Sequence, residues 1–487
     1  MLFNSYVFIL AFLPVTLCGY YFLHSRGRET LAYGWLAGAS LFFYGYFTPH
    51  YLLIIGGSIL VNYRLSVVLD GAEKGRRKKG LLWFGVLFNL GLLFYFKYFD
   101  FFLENINLVF HRDFALRNIV LPLGISFFTF QQVSYVIDSY HGETKGYSLL
   151  EYTVFVTFFP QLVAGPIVLH HELLPQIQAE ENHRFDEEWL ARGMMIFAVG
   201  LFKKVILADT FGKAVTWGFG QVELLTGIEA FLVMLSYTMQ IYLDFSGYCD
   251  MALGIANMFH IQLPMNFNSP YKAFSIVEFW KRWHITLTRF LRQYIYFPLG
   301  GSRKGEFRTY RNIFLVFLAS GLWHGANWTF ILWGALHGLA NVLTRKFQKY
   351  WDGMHAVVRW GITFLFINLT WVIFRADSIT QAGQFIRKIV GMHGLSISEE
   401  LLDCFRLPEF TFVLQHFHSG IGADIASMRG VEMVGLFLVC MVLVLNGKNC
   451  YEREWKTTWG TMVSTTVLLV WSIMSLAGVS VFLYFNF

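Results

Sequence analysis

Apolar residues in this chain neither alternate nor sit at helical spacing among polar neighbours; they come in blocks. "VFILAFLPVTLCGYYFL", "LAYGWLAGASLFFYGYF" and "LLWFGVLFNLGLLFYF" open the sequence, and similar runs recur to its last residues. Each approaches the ~20 residues that a membrane-crossing helix needs. Read this way, the chain has spans near 7–23, 31–47, 51–66, 81–96, 119–137, 152–169, 191–207, 226–245, 312–345, 356–374, 432–446 and 460–485. That predicts an all-α polytopic membrane protein of roughly 11–13 transmembrane helices with some re-entrant or interfacial ones, in a single domain over 1–487.

Two stretches depart from the block pattern. "PQLVAGPIVLHHELLP" carries Pro160, Gly165, Pro166 and Pro175, too many breakers for one regular span. "CDMALGIANMFHIQLPMNFNSPY" mixes apolar residues with Asp250, Asn257, His260, Asn266 and Asn268. Irregular backbone is tolerated at membrane depth only inside protein or along a wet cavity, so both read as re-entrant or interfacial elements. Further on, "ITQAGQFIRKIVGM", in the long stretch 376–430, has the pattern of an amphipathic interfacial helix.

Composition supports the membrane reading: 55% of the 487 residues are hydrophobic and 14% charged, against about 25% charged in soluble domains. The net charge of +6 matters less than its placement. Basic clusters at "EKGRRKKG" and "GSRKGEFRTYR" mark cytoplasmic loops by the positive-inside rule, and neither sits on a module that could bind nucleic acid. With Lys74–Lys79 inside, Arg26 and Arg28 fall inside too, and the amino terminus lies outside. No basic n-region precedes Arg26, so no cleavable signal is expected. Five cysteines without CxxC spacing give neither a disulfide framework nor a zinc site.

The candidate chemistry lies between residues 279 and 338. In "FWKRWHITLTRFLRQYIYFPLGGSRKG", Arg282, Arg289 and Arg292 share a helical face, which predicts one amphipathic helix over 279–297 with His284 near its start. His324 is more unusual: it stands in "FLASGLWHGANWTFILWGALHG", a run without an acidic residue. A helix starting near Asn312 places it about 18 Å along the axis, close to the middle of the bilayer. Ionisable groups at that depth are costly and mark cavities or pathways. A neutral imidazole there could accept a proton, as a general base must. Gly321 and Gly325 would let a substrate or another helix approach it, whereas His337 reads as structural.

Several rival chemistries fail on spacing. "HHELL" at His170 is not HExxH, and no two histidines stand three or four residues apart, so metalloprotease and di-iron boxes are absent. "HFH" at His416 and His418 is too little for a metal site, and no metal is expected. GxSxG is missing, as are a P-loop and paired-Asp motifs. A secondary transporter with a proton-relaying midplane histidine stays open, although no inverted repeat is visible.

"FNSYVFILAFLPV", "FFPQLVAGPI", "YLDFSGYCDMALGIANMF", "NFNSPYKAFSIVEFWKRWHITLTRFLRQYIYFPLGGSRKG", "GLWHGANWTFILWGALHG" and the closing "FLYFNF" together resemble the membrane-bound O-acyltransferase family. Within it they resemble the branch of bacterial alginate O-acetylation more than the related branch of teichoic-acid D-alanylation. The resemblance implies a catalytic His324 and an upstream polar partner at His284, in a funnelled helical core of the bacterial inner membrane. It implies an acyl group, in the first place acetyl from acetyl-CoA, passed outward to a periplasmic esterase-like SGNH partner and a polysaccharide such as alginate. On the donor side, Arg282 and Arg303 are candidates to steer phosphates, and no tightly bound cofactor is expected.

Overall fold

The computed structural model describes residues 1–144, 146–407, 425–476 and 482–483, with no side chains at 425–428. Every regular element among them is helical, as the block pattern predicts. Among the described residues, five helices are long and apolar enough to cross a membrane: Phe8–Ser25, Tyr51–Gly71, Arg76–Phe110, Ala356–Arg375 and Arg429–Asn446. Two other long helices, Ile125–His141 and Gly227–Met258, are buried along most of their length and carry several polar side chains, as helices surrounded by protein do.

Contacts group the chain into two compact units, one of Met1–Leu201, Tyr248–Met265 and Trp455–Phe487, the other of Phe202–Gly247 and Asn266–Glu454. In the first unit a buried polar network ties four helices together. Asn62 Nδ2 donates to Gln132 Oε1 at 2.7 Å, Asn89 Nδ2 to Asn62 Oδ1 at 2.6 Å, and the Tyr152 hydroxyl to Gln132 Oε1 at 3.2 Å. Such bonds are specific glue where apolar contact with lipid gives helices no reason to associate.

The proline-rich stretch is irregular as expected. A short helix, Phe159–Leu162, gives way to turns and irregular backbone and then to His170–Gln178, and residues 159–170 are all buried. The second irregular stretch is shorter than predicted, because the helix Gly227–Met258 runs through both Asp250 and Asn257. No proline interrupts it, and Gly254 packs against Gly193 so closely that a Cβ on either would collide with the other helix's backbone. Irregular backbone begins only after Met258.

The second unit holds the Trp-rich run, whose predicted single span over 312–345 is in fact a hairpin of two helices, Glu306–His324 and Trp328–Lys346. Gly321 and Gly334 face each other across it. A Cβ on Gly321 would stand 3.1 Å from Gly334 Cα and collide with the Phe330 carbonyl, so the helices meet backbone to backbone. The stretch 279–297 also departs from expectation. It is broken into Ile276–Arg282, Ile285–Leu291 and a wide turn at Arg292–Tyr296. The amphipathic helix Ile379–Gly391 forms as read, capped by Ser378 and stacked through Phe385 on Phe219 at 4.6 Å. His416 and His418 lie outside the described residues.

Candidate functional site

His324 is the last residue of its helix, not a mid-helix group, because the helix begins at Glu306 and ends where Gly325 turns extended. Asn327 starts the return helix by accepting from the Thr329 amide at 3.0 Å and donating to the Asp377 carbonyl at 2.9 Å. The imidazole is buried, 5% exposed, among aromatic rings. Trp333 meets it edge-on at 5.2 Å, Phe374 at 5.2 Å and Trp323 at 5.0 Å, and His284 lies 6.4 Å away.

His284 sits at the break in the predicted amphipathic helix, with φ 45°, in the left-handed region. That conformation costs a non-glycine residue on the order of 1–3 kcal/mol and persists only where neighbours impose it. Here the preceding irregular segment does so. The Ile285 amide donates to the Asn266 carbonyl at 2.9 Å, and the Asn268 amide to the Arg282 carbonyl at 2.8 Å. The fully buried ring then places Nδ1 3.1 Å from Asn266 Oδ1. That oxygen also accepts from the Thr286 amide at 3.3 Å and the Thr286 hydroxyl at 2.8 Å. An amide N–H can only donate, so Asn266 presents its oxygen and His284 Nδ1 carries the proton. In the neutral ring the lone pair is therefore on Nε2.

The spacing of the two histidines constrains their joint chemistry. Ring centroids 6.4 Å apart are too distant for a direct imidazole–imidazole hydrogen bond. Two bonds of about 2.8 Å converging on one oxygen put the nitrogens about 4.3 Å apart, close to the nearest approach open to nitrogens on rings 6.4 Å apart. Because the lone pair on His284 Nε2 can only accept, the gap suits a hydroxyl or water that donates to that ring, and not a carbonyl oxygen.

His337 is fixed differently. Its Nδ1 accepts from Trp280 Nε1 at 3.1 Å, so its proton is on Nε2, facing Thr370 Oγ1 at 3.0 Å. Both nitrogens serve the packing of three helices. Arg282 is engaged as well, bonded to Glu278 at 3.0 Å and to the Asn268 carbonyl at 3.1 Å. Arg303 is exposed on a turn whose glycines, Gly300, Gly301 and Gly305, have positive φ. Asn312 bonds the carbonyls of Leu299 and Gly301 and so ties that turn to the helix bearing His324.

Three features escape the sequence reading. Asn266 sets the His284 tautomer, and nothing in its local sequence shows it, because the contact depends on a turn eighteen residues away. Trp333 is fully buried, and its indole N–H has no acceptor among the described residues. Lys204 lies 2.7 Å from both Asp209 and Asp244 and is 2% exposed. Its signal was available: lysine in an apolar run, and aspartate inside "YLDFSGY".

A model of the membrane-bound O-acyltransferase family matches residues 80–379. The chain is 40% identical to a peptidoglycan O-acetyltransferase of Helicobacter pylori, over 100% of this chain and 98% of that one. It is also 40% identical to a probable alginate O-acetylase of Pseudomonas aeruginosa, over 82% of this chain and 76% of that one. A teichoic acid D-alanyltransferase of Streptococcus thermophilus matches at 29%, over 45% of this chain and 56% of its own length.

Proposed function

The chain belongs to the membrane-bound O-acyltransferase family, and from that premise we propose that it moves acetyl groups across the bacterial inner membrane for O-acetylation of cell-wall peptidoglycan. The similarity to a peptidoglycan O-acetyltransferase spans both chains almost completely, whereas the alginate relatives leave part of this chain unmatched. The donor is a cytoplasmic acetyl thioester, acetyl-CoA. A periplasmic SGNH-type partner places the group on the glycan.

The observation that carries the catalytic reading is the buried pair His324–His284 at 6.4 Å, with the His284 tautomer set by Asn266. His324 takes the proton of the acceptor hydroxyl as its oxygen attacks the thioester carbonyl. The carbon–sulfur bond then breaks, and the departing thiolate receives that proton from the imidazolium. General base catalysis of this kind contributes ~10²–10⁴-fold. His324 ends its helix, and a helix C-terminus favours the positive charge that develops there. His284, which accepts at Nε2, positions the acceptor oxygen through a water that donates to both, and the unpartnered Trp333 N–H serves the carbonyl oxygen. Arg303 meets the phosphates of the donor from its exposed turn.

Removal of the gene followed by complementation tests the substrate. Ester-linked acetate on purified peptidoglycan should fall to background without the protein and return with it. Unchanged peptidoglycan acetate, together with acetate lost from a secreted uronic-acid polymer, would reject the peptidoglycan reading in favour of alginate.

A further inference from the structure

Away from these histidines, the first unit brings three other side chains together. Asp138, near the end of the helix Ile125–His141, lies beside His170 and His171, the first two residues of His170–Gln178. One ligand atom from each lies within 4.8 Å of the other two. His170 and Asp138 are buried, and His171 is exposed. His170 Nε2 stands 3.2 Å from Asp138 Oδ2, yet off the direction of a hydrogen bond, and neither ring nitrogen of His170 has a hydrogen-bond partner. A buried imidazole left so is unfavourable, and an ordinary ion pair would have turned the ring to use the carboxylate.

We propose that Asp138, His170 and His171 form a divalent transition-metal site of zinc type. The separation is that of two ligands on one ion, because tetrahedral zinc with bonds near 2.0–2.1 Å holds its ligand atoms about 3.3 Å apart. Two imidazoles and one carboxylate favour zinc-class ions over magnesium or calcium, which take oxygen ligands. His171 stands nearly perpendicular to His170, with ring centroids 5.3 Å apart, and its exposure lets the ring swing in to complete the set. A water would fill the fourth position of a tetrahedral ion. The positive end of the helix dipole opposes a cation, but Asp138 supplies a full negative charge directly beside it. Tyr135 and Tyr147 pack edge-on against His170 at 5.5 and 5.9 Å and fix its ring. The ion would pin the start of one helix to the end of another, just after the irregular "AGPIVL" segment. The spacing within "HHELL" gives no hint of it, because the third ligand comes from an earlier helix.

The test uses the full chain in detergent, stripped with a chelator, loaded with zinc and freed of excess. Bound zinc is measured by elemental analysis and competition with a chromogenic chelator, and stability by thermal unfolding. Wild type should retain a single ion and unfold at higher temperature with zinc than without. Asp138→Asn and His171→Ala should each weaken zinc binding by at least about tenfold, as loss of even a ligand's supporting partner does, and abolish the zinc-dependent shift. His171 is exposed, so its variant keeps the test independent of folding. Wild type retaining no zinc, or both variants holding it as tightly as wild type, would overturn the assignment.

Discussion

At the scale of single residues, the proposed division of labour between His324 and His284 depends on Asn266, which reaches His284 only through a left-handed turn. Only His324 stands out in the sequence, in a tryptophan-rich run without an acidic residue; His284 is reached through the family resemblance, and Asn266 not at all. Removing that amide leaves His284 free to exchange tautomers without removing either imidazole. Asn266→Ala should therefore lower acetyl transfer by roughly 10–100-fold, within the ~10²–10⁴ that general acid–base groups contribute. His284→Asn should act at least as strongly. Transfer rates on membranes matched for protein amount check this, and a normal rate in Asn266→Ala would detach the tautomer from catalysis. Trp333→Phe keeps an aromatic ring and removes the N–H together with the five-membered ring that carries it. Turnover should fall by about tenfold or more, up to the ~10²–10³-fold seen when an oxyanion donor is lost, with little change in donor KM. Unchanged turnover would leave Trp333 a packing residue.

At the scale of elements, apolar blocks identified helices well and their interruptions poorly. The hairpin over 306–346 looked like one span because its turn, Gly325–Asn327, is too short to break the apolar run. The extended Gly325 and the Asn327 cap were its local signals. The amphipathic reading of 279–297 failed for a different reason: the Asn266–Asn268 segment pairs with the backbone at 282–285 and takes the chain out of helix there. Both elements yield predictions about stability. Gly334→Val forces side-chain atoms into the backbone of the facing helix and should cost about 1–3 kcal/mol, as overpacking does. A lowered thermal midpoint of the purified protein is the expected readout, and an unchanged one would contradict the close contact. Lys204→Met strands Asp244 in a buried setting and should cost about 3–5 kcal/mol. Lys204→Met combined with Asp244→Leu should recover part of that loss, and a double variant no more stable than the single one would show that the pair is not coupled.

At the scale of the whole molecule, the all-helical membrane architecture was written in the hydropathy, and the family in its ordered motifs. Which polymer receives the acetyl group was not, because a histidine pair suited to a small acyl group says little about the glycan that finally carries it. Orientation follows from charge: single cysteines within Lys74–Lys79 or Arg303–Arg311, in a background lacking the native five, should resist an impermeant thiol reagent added to intact cells. Efficient labelling at either loop would reverse the topology and with it the direction of transfer. The central claim, that His324 is the base of the transfer, is tested most directly by His324→Ala in a polymer-acetylation assay with the protein inserted at wild-type abundance. Acetylation should fall to the level of cells lacking the protein, while His337→Phe retains activity in proportion to the folded protein that remains. Near wild-type acetylation by a well-folded His324→Ala variant would contradict the account.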